Sequence, residues 1–397
     1  MISELYSIEQ CEIVRQTGYE DMNFCLQNII TPRDELRKQS KFILKITNPI
    51  EARNYDLMVD NILVLFSVRL PVRLFEFLNG TKLEDVDYSM QVCNLIGRLL
   101  AQFHMVTSTF DDDAYRRHIP FLSLENRECC EREMELLFER NLISESQHEL
   151  LKRTLDIFKK KMSKMSTTMA KGFIHSDFNE TNILVEISND EYVVKGLLDF
   201  GDAHYSYLIF DIAAAILYVL MDTKTNEYDD EWLKLGGWVV NGYETVHTVM
   251  DKDMLLPSMR ARLALSLIYG LRTARINYRN GNLEYVLKTQ NNGWKVLKIA
   301  VQVCSFRDST MKTHLLVTFA TLAYAASENK DVPIEKCAVS IDGVKRPSVL
   351  PSLCKNTYAD IPCAHLYPVT DNSSHHNELV VDTILHRHQL FLAKEKY

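Results

Sequence analysis

Residues 174–202 carry a combination of groups that phosphoryl transfer requires. Ile174-His175-Ser176-Asp177-Phe178-Asn179-Glu180-Thr181-Asn182 reads as His-x-Asp with an Asn five residues after the acid. Two apolar segments and a polar turn follow, and then Leu198-Asp199-Phe200-Gly201-Asp202. One carboxylate has to meet the hydroxyl that receives the phosphoryl group. An amide oxygen and a second carboxylate have to hold magnesium on the nucleotide phosphates. Asp177 is therefore the candidate catalytic base, help typically worth about two to four orders of magnitude in rate. His175 is expected to brace the loop. Asn182 and Asp199 are the candidate metal ligands, Asp199 lying at a strand end beside Gly201, where no bulk blocks a cation. Either motif alone reads equally well as ordinary turn chemistry, since His, Asp and Asn are common in loops. Both together, in this order and flanked by strands, favour catalysis.

Other elements must position these groups. Ile183–Val185 and Val193–Leu198 read as two buried strands that anchor the loop. Upstream, Lys45 sits in the apolar strand Phe42-Ile43-Leu44-Lys45-Ile46. Kinase-like folds aim such a lysine at the α and β phosphates, whereas an edge-strand lysine simply faces water. The lysine calls for a helix carboxylate, and Asp60 is favoured over Asp56 and Glu51. Gly18-Tyr19-Glu20-Asp21-Met22-Asn23-Phe24 is the candidate phosphate-covering turn, with one glycine instead of three.

The segments sort into a small strand-rich lobe over 1–78, a larger helical lobe over 79–312 and a tail over 313–397. In the first, Phe24–Ile30 and Lys41–Ile46 form a hairpin pattern with a long Pro-containing connection. Glu51–Phe66 has helix-compatible spacing through Leu57, Ile62 and Leu65, and Val72–Leu78 is a short strand ending at the Asn79-Gly80 turn. In the second, Tyr88–His104 shows a 3.6 period. Glu131–Lys161, Ile209–Met221 and Arg260–Tyr278 read as further helices. In the tail, five of the ten prolines fall between Pro333 and Pro368, and no period survives. It reads as largely irregular, with a short helix at Leu379–Leu392. Its Cys363 and His365 are too closely spaced for a zinc pair.

Composition narrows the class. A formal charge of −8 offers no basic surface for nucleic acid and suits a cationic or zwitterionic small substrate. The longest apolar runs, Ile212–Met221 and Leu315–Ala326, are too short to span a bilayer. Nine cysteines without a paired framework, and no N-terminal signal sequence, fit reduced thiols in a cytoplasmic protein.

These motifs resemble the aminoglycoside phosphotransferase and choline kinase superfamily, and within it the hydroxylysine kinase family. The likeness runs over roughly residues 15–300. It rests on Tyr19–Phe24, Phe42–Ile46, Val72-Arg73-Leu74, Ile96-Gly97-Arg98-Leu99, the His175–Asn182 loop and Leu197–Asp202. Tyr205-Ser206-Tyr207 and the Gly236-Gly237 to Gly242-Tyr243-Glu244 segment complete it. The resemblance implies an α+β, bilobal protein-kinase-like fold. It also implies Mg²⁺-dependent transfer of the γ-phosphate of GTP, or ATP, to the hydroxyl of 5-hydroxy-L-lysine in cytoplasmic amino-acid catabolism. Asn23, Arg73 and Phe75 join Lys45 and Asp60 as expected nucleotide contacts. The chain departs from the family pattern at Ser176, where a glycine is usual. Only eleven residues separate Asn61 from Arg73. That leaves no evident room for a strand hairpin after a helix, so the small lobe is expected to be abbreviated. The segment before Tyr19 also leaves little room for a helix.

A hydroxylated amino acid presents a carboxylate and ammonium groups, so its site needs arginine and acid. Asp202, Tyr205, Glu244 and Arg272 are the candidates, with Arg275 beside the last. Choline recognition would favour an aromatic cage, and Asp199-Phe200-Gly201 departs from the Asp-Phe-Glu of choline kinases. Other amino-alcohol acceptors, homoserine or an aminoglycoside, remain alternatives. A non-catalytic kinase-like interaction protein is the rival from another class. No membrane or nucleic-acid partner is expected.

Overall fold

Alternation along Lys41–Ile46 organises the smaller part of the structure. The computed structural model describes residues 2–19, 21–48, 62–65, 68–188, 191–223, 230–277 and 282–302. The chain divides into two compact units, one running to Asn79 and including Thr273–Val286, the other covering Gly80–Arg272 and resuming at Leu287.

The first unit begins with helix α1 (Ile2–Tyr6), strand β1 (Gln10–Gln16), strand β2 (Met22–Ile30), the one-turn helix α2 (Asp34–Arg37) and strand β3 (Lys41–Ile46). Strands β4 (Ile62–Leu65) and β5 (Val68–Glu76) complete an antiparallel sheet of order β1-β2-β3-β5-β4. Phe42, Leu44 and Ile46 on one face of β3 join Leu26, Val72, Tyr6 and Ile8 in the core. The Tyr6 hydroxyl donates to the Val72 carbonyl at 2.9 Å and ties α1 to the sheet. On the other face, direct pairing sets Asn23, Lys45 and Arg73 in one row. Cys25, Ile43 and Phe75 form the next row. A polar stripe and an apolar stripe therefore lie side by side, because residues opposite one another in an antiparallel sheet share a face.

This sheet corrects two expectations. The hairpin that seemed too long for the space is present: β4 pairs with β5 from Ile62 opposite Pro71 to Leu65 opposite Val68. It fits because β4 is four residues long and two residues connect it to β5. Ile62–Leu65, expected in a helix, is extended. A short apolar run satisfies either period, and pairing with β5 decides it. Asp60, Asp56 and Glu51 lie outside the described residues. A short helix does precede Tyr19, and β1 was not foreseen because its mostly exposed side chains carry no alternation.

The second unit holds strand β6 (Thr81–Lys82), helices α3 (Met90–Val106), α4 (Asp113–Arg117), α5 (Arg127–Glu139) and α6 (Glu145–Met165), and strands β7 (Lys171–Ile174), β8 (Ile183–Ser188), β9 (Glu191–Leu197) and β10 (His204–Tyr207). Helices α7 (Leu208–Asp222), α8 (Asp230–Glu244) and α9 (Leu255–Asn277) follow; α9 enters the first unit at Thr273, where α10 (Leu283–Val286) also lies, and α11 (Lys288–Gln302) returns. Strand β8 pairs with β6 and β9, and β7 pairs with β10.

The single helix expected over Glu131–Lys161 is two. Asn141 adopts φ 55°, a left-handed stop for α5. Ser144 and Gln147 then form a reciprocal capping box that starts α6. Helix α8 escaped notice because Gly236-Gly237 weakens helical propensity. Two other glycines have a packing purpose. A Cβ on Gly97 of α3 would lie 1.9 Å from the Val239 carbonyl oxygen of α8, and one on Gly242 would lie 2.1 Å from that of Asn94. The two backbones touch there. The tail, including Cys363, His365 and Leu379–Leu392, and Tyr278 lie outside the described residues. No helix among the described residues is long and apolar enough to cross a membrane.

Replacing Gly97 by Ala must push α3 from α8. We expect a loss of about 2–3 kcal/mol in urea unfolding, the overpacking penalty of a dense interior; an unchanged midpoint would show that the helices can separate freely.

Candidate active site

The His175–Asn182 loop joins β7 to β8 and turns sharply at Ser176, whose φ is 68°. This is the left-handed region that glycine enters without a Cβ penalty. The loop's first two amides point inward and meet one carboxylate. Asp211, fully buried in the first turn of α7, accepts from the His175 amide and from the Ser176 amide, each at 2.7 Å. His104 of α3 donates from Nε2 to Asp211 at 3.2 Å, and its Nδ1 meets the Tyr243 hydroxyl of α8 at 2.8 Å. Burial by itself would raise the Asp211 carboxyl. The hydrogen bond and charge of His104, with His175 adjacent, outweigh burial and hold it below the ordinary carboxylate value. The His175 ring is buried, donates from Nε2 to the Leu198 carbonyl at 2.9 Å and packs on Phe200 with centroids 4.8 Å apart.

Beyond the turn, Asp177 and Asn182 come together. The Asn182 amide nitrogen donates to the Asp177 carboxylate and to its backbone carbonyl, both at 2.9 Å. That leaves the Asn182 side-chain oxygen as the acceptor end. The other Asp177 oxygen meets Arg262 Nη2 of α9 at 3.2 Å. Asp177 keeps 24% of its side-chain surface exposed, against 3% for Arg262. The Leu198 amide donates to the Asn182 carbonyl at 2.7 Å, so Asp199 follows directly on the residue bonded to Asn182. Asp199 is exposed, has φ 58°, and its carboxylate oxygen lies 3.4 Å from the Gly201 amide. Its turn is held by two histidines. His204 donates from Nδ1 to the Asp202 carbonyl at 2.8 Å, and its Nε2 meets the Ser123 hydroxyl at 2.9 Å. His118 bonds the Gly201 backbone. Burial pushes His204 down to about 4 and lowers His118 as well, so both are neutral braces.

Asn182 and Asp199 supply an amide oxygen and an exposed carboxylate at neighbouring strand ends. No cluster of three or more His, Cys, Asp or Glu suited to a metal exists among the described residues. Two oxygens nevertheless fit a magnesium ion that takes its remaining ligands from phosphates and water.

In the first unit, Lys45 Nζ pairs with Asp21 at 3.1 Å. The other Asp21 oxygen accepts from the Asn48 backbone amide at 2.8 Å. The acid beside the lysine thus comes from the Gly18–Phe24 segment, the candidate phosphate-covering turn. Arg73 Nη2 reaches the Thr47 hydroxyl at 3.4 Å and its guanidinium lies 5.6 Å from the Phe75 ring centroid. Among the described residues, buried Arg73 Nε and Asn23 Oδ1 have no hydrogen-bond partner.

The expected substrate residues all lie in the second unit, each with a partner of its own. The Tyr205 hydroxyl donates to the Phe110 carbonyl at 3.3 Å, and Arg116 covers its ring at 4.0 Å. Arg272 stacks over Phe121 at 4.6 Å. Glu244, at the end of α8, pairs with Lys252 at 2.6 Å. Asp202 lies close enough to Arg262 to help hold its pKa above the ordinary value against burial; Tyr218 and Asp177 contribute more. Sequence reasoning missed Asp211 and Arg262. Each is a charged residue inside an apolar helical run, a signal that could have drawn attention to both.

Comparison with known proteins identifies the class. The profile of the phosphotransferase enzyme family matches residues 55–247, and that match, with the relatives below, supports a kinase with an alcohol acceptor. A microcompartment-associated aminopropanol kinase superposes with TM-score 0.53 at 15% identity, covering 77% of this chain and 96% of that one. A GDP and kanamycin complex of APH(2")-IIia superposes with TM-score 0.50 at 16% identity, covering 76% and 97%. Both share the bilobal α+β fold. Among known proteins the chain is similar to hydroxylysine kinases. That of Mus musculus is 26% identical over 341 residues, 75% of this chain and 86% of the relative. That of Xenopus laevis is 26% identical over 361 residues, 79% and 94%.

Two outcomes follow from this geometry. Ser176→Gly removes a Cβ from a left-handed position and is expected to stabilise the fold by about 0.5–1 kcal/mol in denaturant titration; destabilisation would mean that the Ser176 side chain earns its place through contacts. His204 is held neutral, its folded pKa below its unfolded one, so the unfolded chain binds the extra proton. Its contribution is complete above pH 6.5 and is lost as pH falls toward 4, by up to about 3 kcal/mol. His204→Gln should flatten the stability–pH curve in that window, and an unchanged curve would contradict the burial argument.

Proposed function

We propose that this protein transfers the γ-phosphoryl group of GTP or ATP, as a magnesium complex, to the hydroxyl of a small hydroxylated amino acid, with 5-hydroxy-L-lysine the favoured acceptor. The observation that carries this reading is the Asp177 carboxylate, partly exposed and held at both oxygens by Asn182 and Arg262. The hydroxylysine kinases it resembles support the acceptor class.

Each group then has a task. Asp177 accepts a hydrogen bond from the acceptor hydroxyl through a remaining lone pair and takes its proton as the oxygen attacks the γ-phosphorus. The bond from that phosphorus to the bridging oxygen breaks, and the nucleoside diphosphate leaves. Asn182 Oδ1 and the Asp199 carboxylate would hold magnesium, which when bound offsets charge on the phosphate oxygens. Lys45 and Arg73 are the cations for the phosphates, with Asn23 in the same row. Ile43 and Phe75, in the adjoining apolar row, offer a surface for the base. Asp202, Tyr205, Glu244 and Arg272 are the proposed determinants of the acceptor, an acid for an ammonium and an arginine for a carboxylate.

The test is nucleotide consumption, with GTP and with ATP, over hydroxylysine, choline, ethanolamine, homoserine and an aminoglycoside. Hydroxylysine is expected to give the highest kcat/KM. Asp177→Asn should lower kcat by about 10²–10⁴-fold while leaving the nucleotide's thermal stabilisation intact, about 2.7 kcal/mol at 100 times its Kd. Turnover at the wild-type rate in Asp177→Asn, or no thermal response to either nucleotide with magnesium, would sink the proposal.

A further inference from the structure

Arg262 lies within α9 and is 2% exposed, and each of its three guanidinium nitrogens has a hydrogen-bond partner. Nε donates to the Tyr218 hydroxyl at 3.0 Å, Nη1 to the Leu122 carbonyl at 3.0 Å and Nη2 to Asp177 at 3.2 Å. Its Cζ also lies 5.5 Å from the Tyr218 ring centroid. The Tyr218 hydroxyl is fixed in turn by Ser266 at 2.9 Å. Backbone, ring and hydroxyl set the plane of the fork before it reaches Asp177. A planar, always-charged group held this way defines both position and charge for the one carboxylate it meets.

We propose that Arg262 is a positioning residue for phosphoryl transfer, cancelling the charge of Asp177 from behind and fixing its rotamer so that the acceptor hydroxyl meets the remaining lone pairs. This rests on the reading of Asp177 given above. The physical need is plain. A nucleotide triphosphate is strongly anionic, and a bare carboxylate next to its γ-phosphate would repel it. A buried arginine on one carboxylate oxygen offsets that repulsion while Asp177 keeps 24% of its side chain exposed for the acceptor. Lysine would supply the charge, but it lacks the fork that also meets Tyr218 and Leu122.

Steady-state kinetics of the full chain with magnesium, GTP or ATP and hydroxylysine tests this. Arg262→Ala is expected to lower kcat about a hundredfold, the scale of a misplaced reacting group. The nucleotide KM should stay within about threefold of wild type, because the lost interaction acts on the reacting end. Added guanidinium ion should restore part of kcat in Arg262→Ala and leave wild type unchanged, which a purely structural arginine would not produce. Arg262→Lys and Tyr218→Phe preserve most of the packing and carry the test should Arg262→Ala fail to fold; each should lower kcat at nearly constant KM. Asp177→Asn run in parallel separates the two readings. If Asp177→Asn is inactive while Arg262→Lys and Tyr218→Phe both turn over like wild type, the role given to Arg262 is wrong and that of Asp177 stands. If Asp177→Asn is as active as wild type, both are wrong.

Discussion

Where β7 ends, two consecutive backbone amides turn into the interior with no strand to receive them. A buried amide left unpaired costs about 1–3 kcal/mol, and the loop beginning there carries Asp177, the proposed base. Asp211 resolves both problems by accepting the His175 and Ser176 amides on its two oxygens. Its own charge is tolerated in the interior because His104 and the amides surround it, and His104 is steadied by Tyr243. The close packing of α3 on α8 at Gly97 and Gly242 belongs to the same arrangement, since these helices carry His104 and Tyr243. Without this anchor, the geometry of Asp177, Asn182 and the turn at Asp199 would have no fixed origin.

A second pattern runs through both units: charges proposed to meet substrate are steadied by partners within their own unit. Asp177 has Arg262 and Asn182; Lys45 has Asp21, itself bonded to Asn48. The loop's far end is tied in the same manner, with Lys288 of α11 reaching Glu180 at 3.2 Å, Asp222 at 2.9 Å and Glu84 at 3.4 Å. Such preorganisation limits the rearrangement needed when phosphates arrive. The β4–β5 pairing also supplies the strands that the spacing between Asn61 and Arg73 had seemed to exclude. The row of Asn23, Lys45 and Arg73 beside Cys25, Ile43 and Phe75 needs β2, β3 and β5 in register, and that register is present.

Much of this was legible in the chain. The order of Asp177, Asn182 and Asp199, the strands between them and the lysine in an alternating strand are local patterns, and local patterns survive without neighbours. So did the helices α3 and α7, whose apolar periods are strong. Element ends and breaks were less legible. The α5–α6 break depends on Asn141 and the Ser144 cap within an otherwise helical stretch, and β4 depends on pairing that a short apolar run does not announce. Helix α8 was hidden by its glycines, whose contribution appears only against α3.

The residue types and spacing along the chain were enough to single out the His175–Asn182 loop and Asp199 as candidates for phosphoryl transfer and to separate a strand-rich part from a helical one, because hydrogen-bonding chemistry and periodicity are properties of short segments. Folding alone selected Asp211 as the loop's anchor, Arg262 as the partner of Asp177 and Asp21 as the partner of Lys45. Those pairs are separated by tens of residues or lie on different elements. A buried charge declares its purpose only through what it touches, and which groups touch is set by how helices and strands pack in three dimensions.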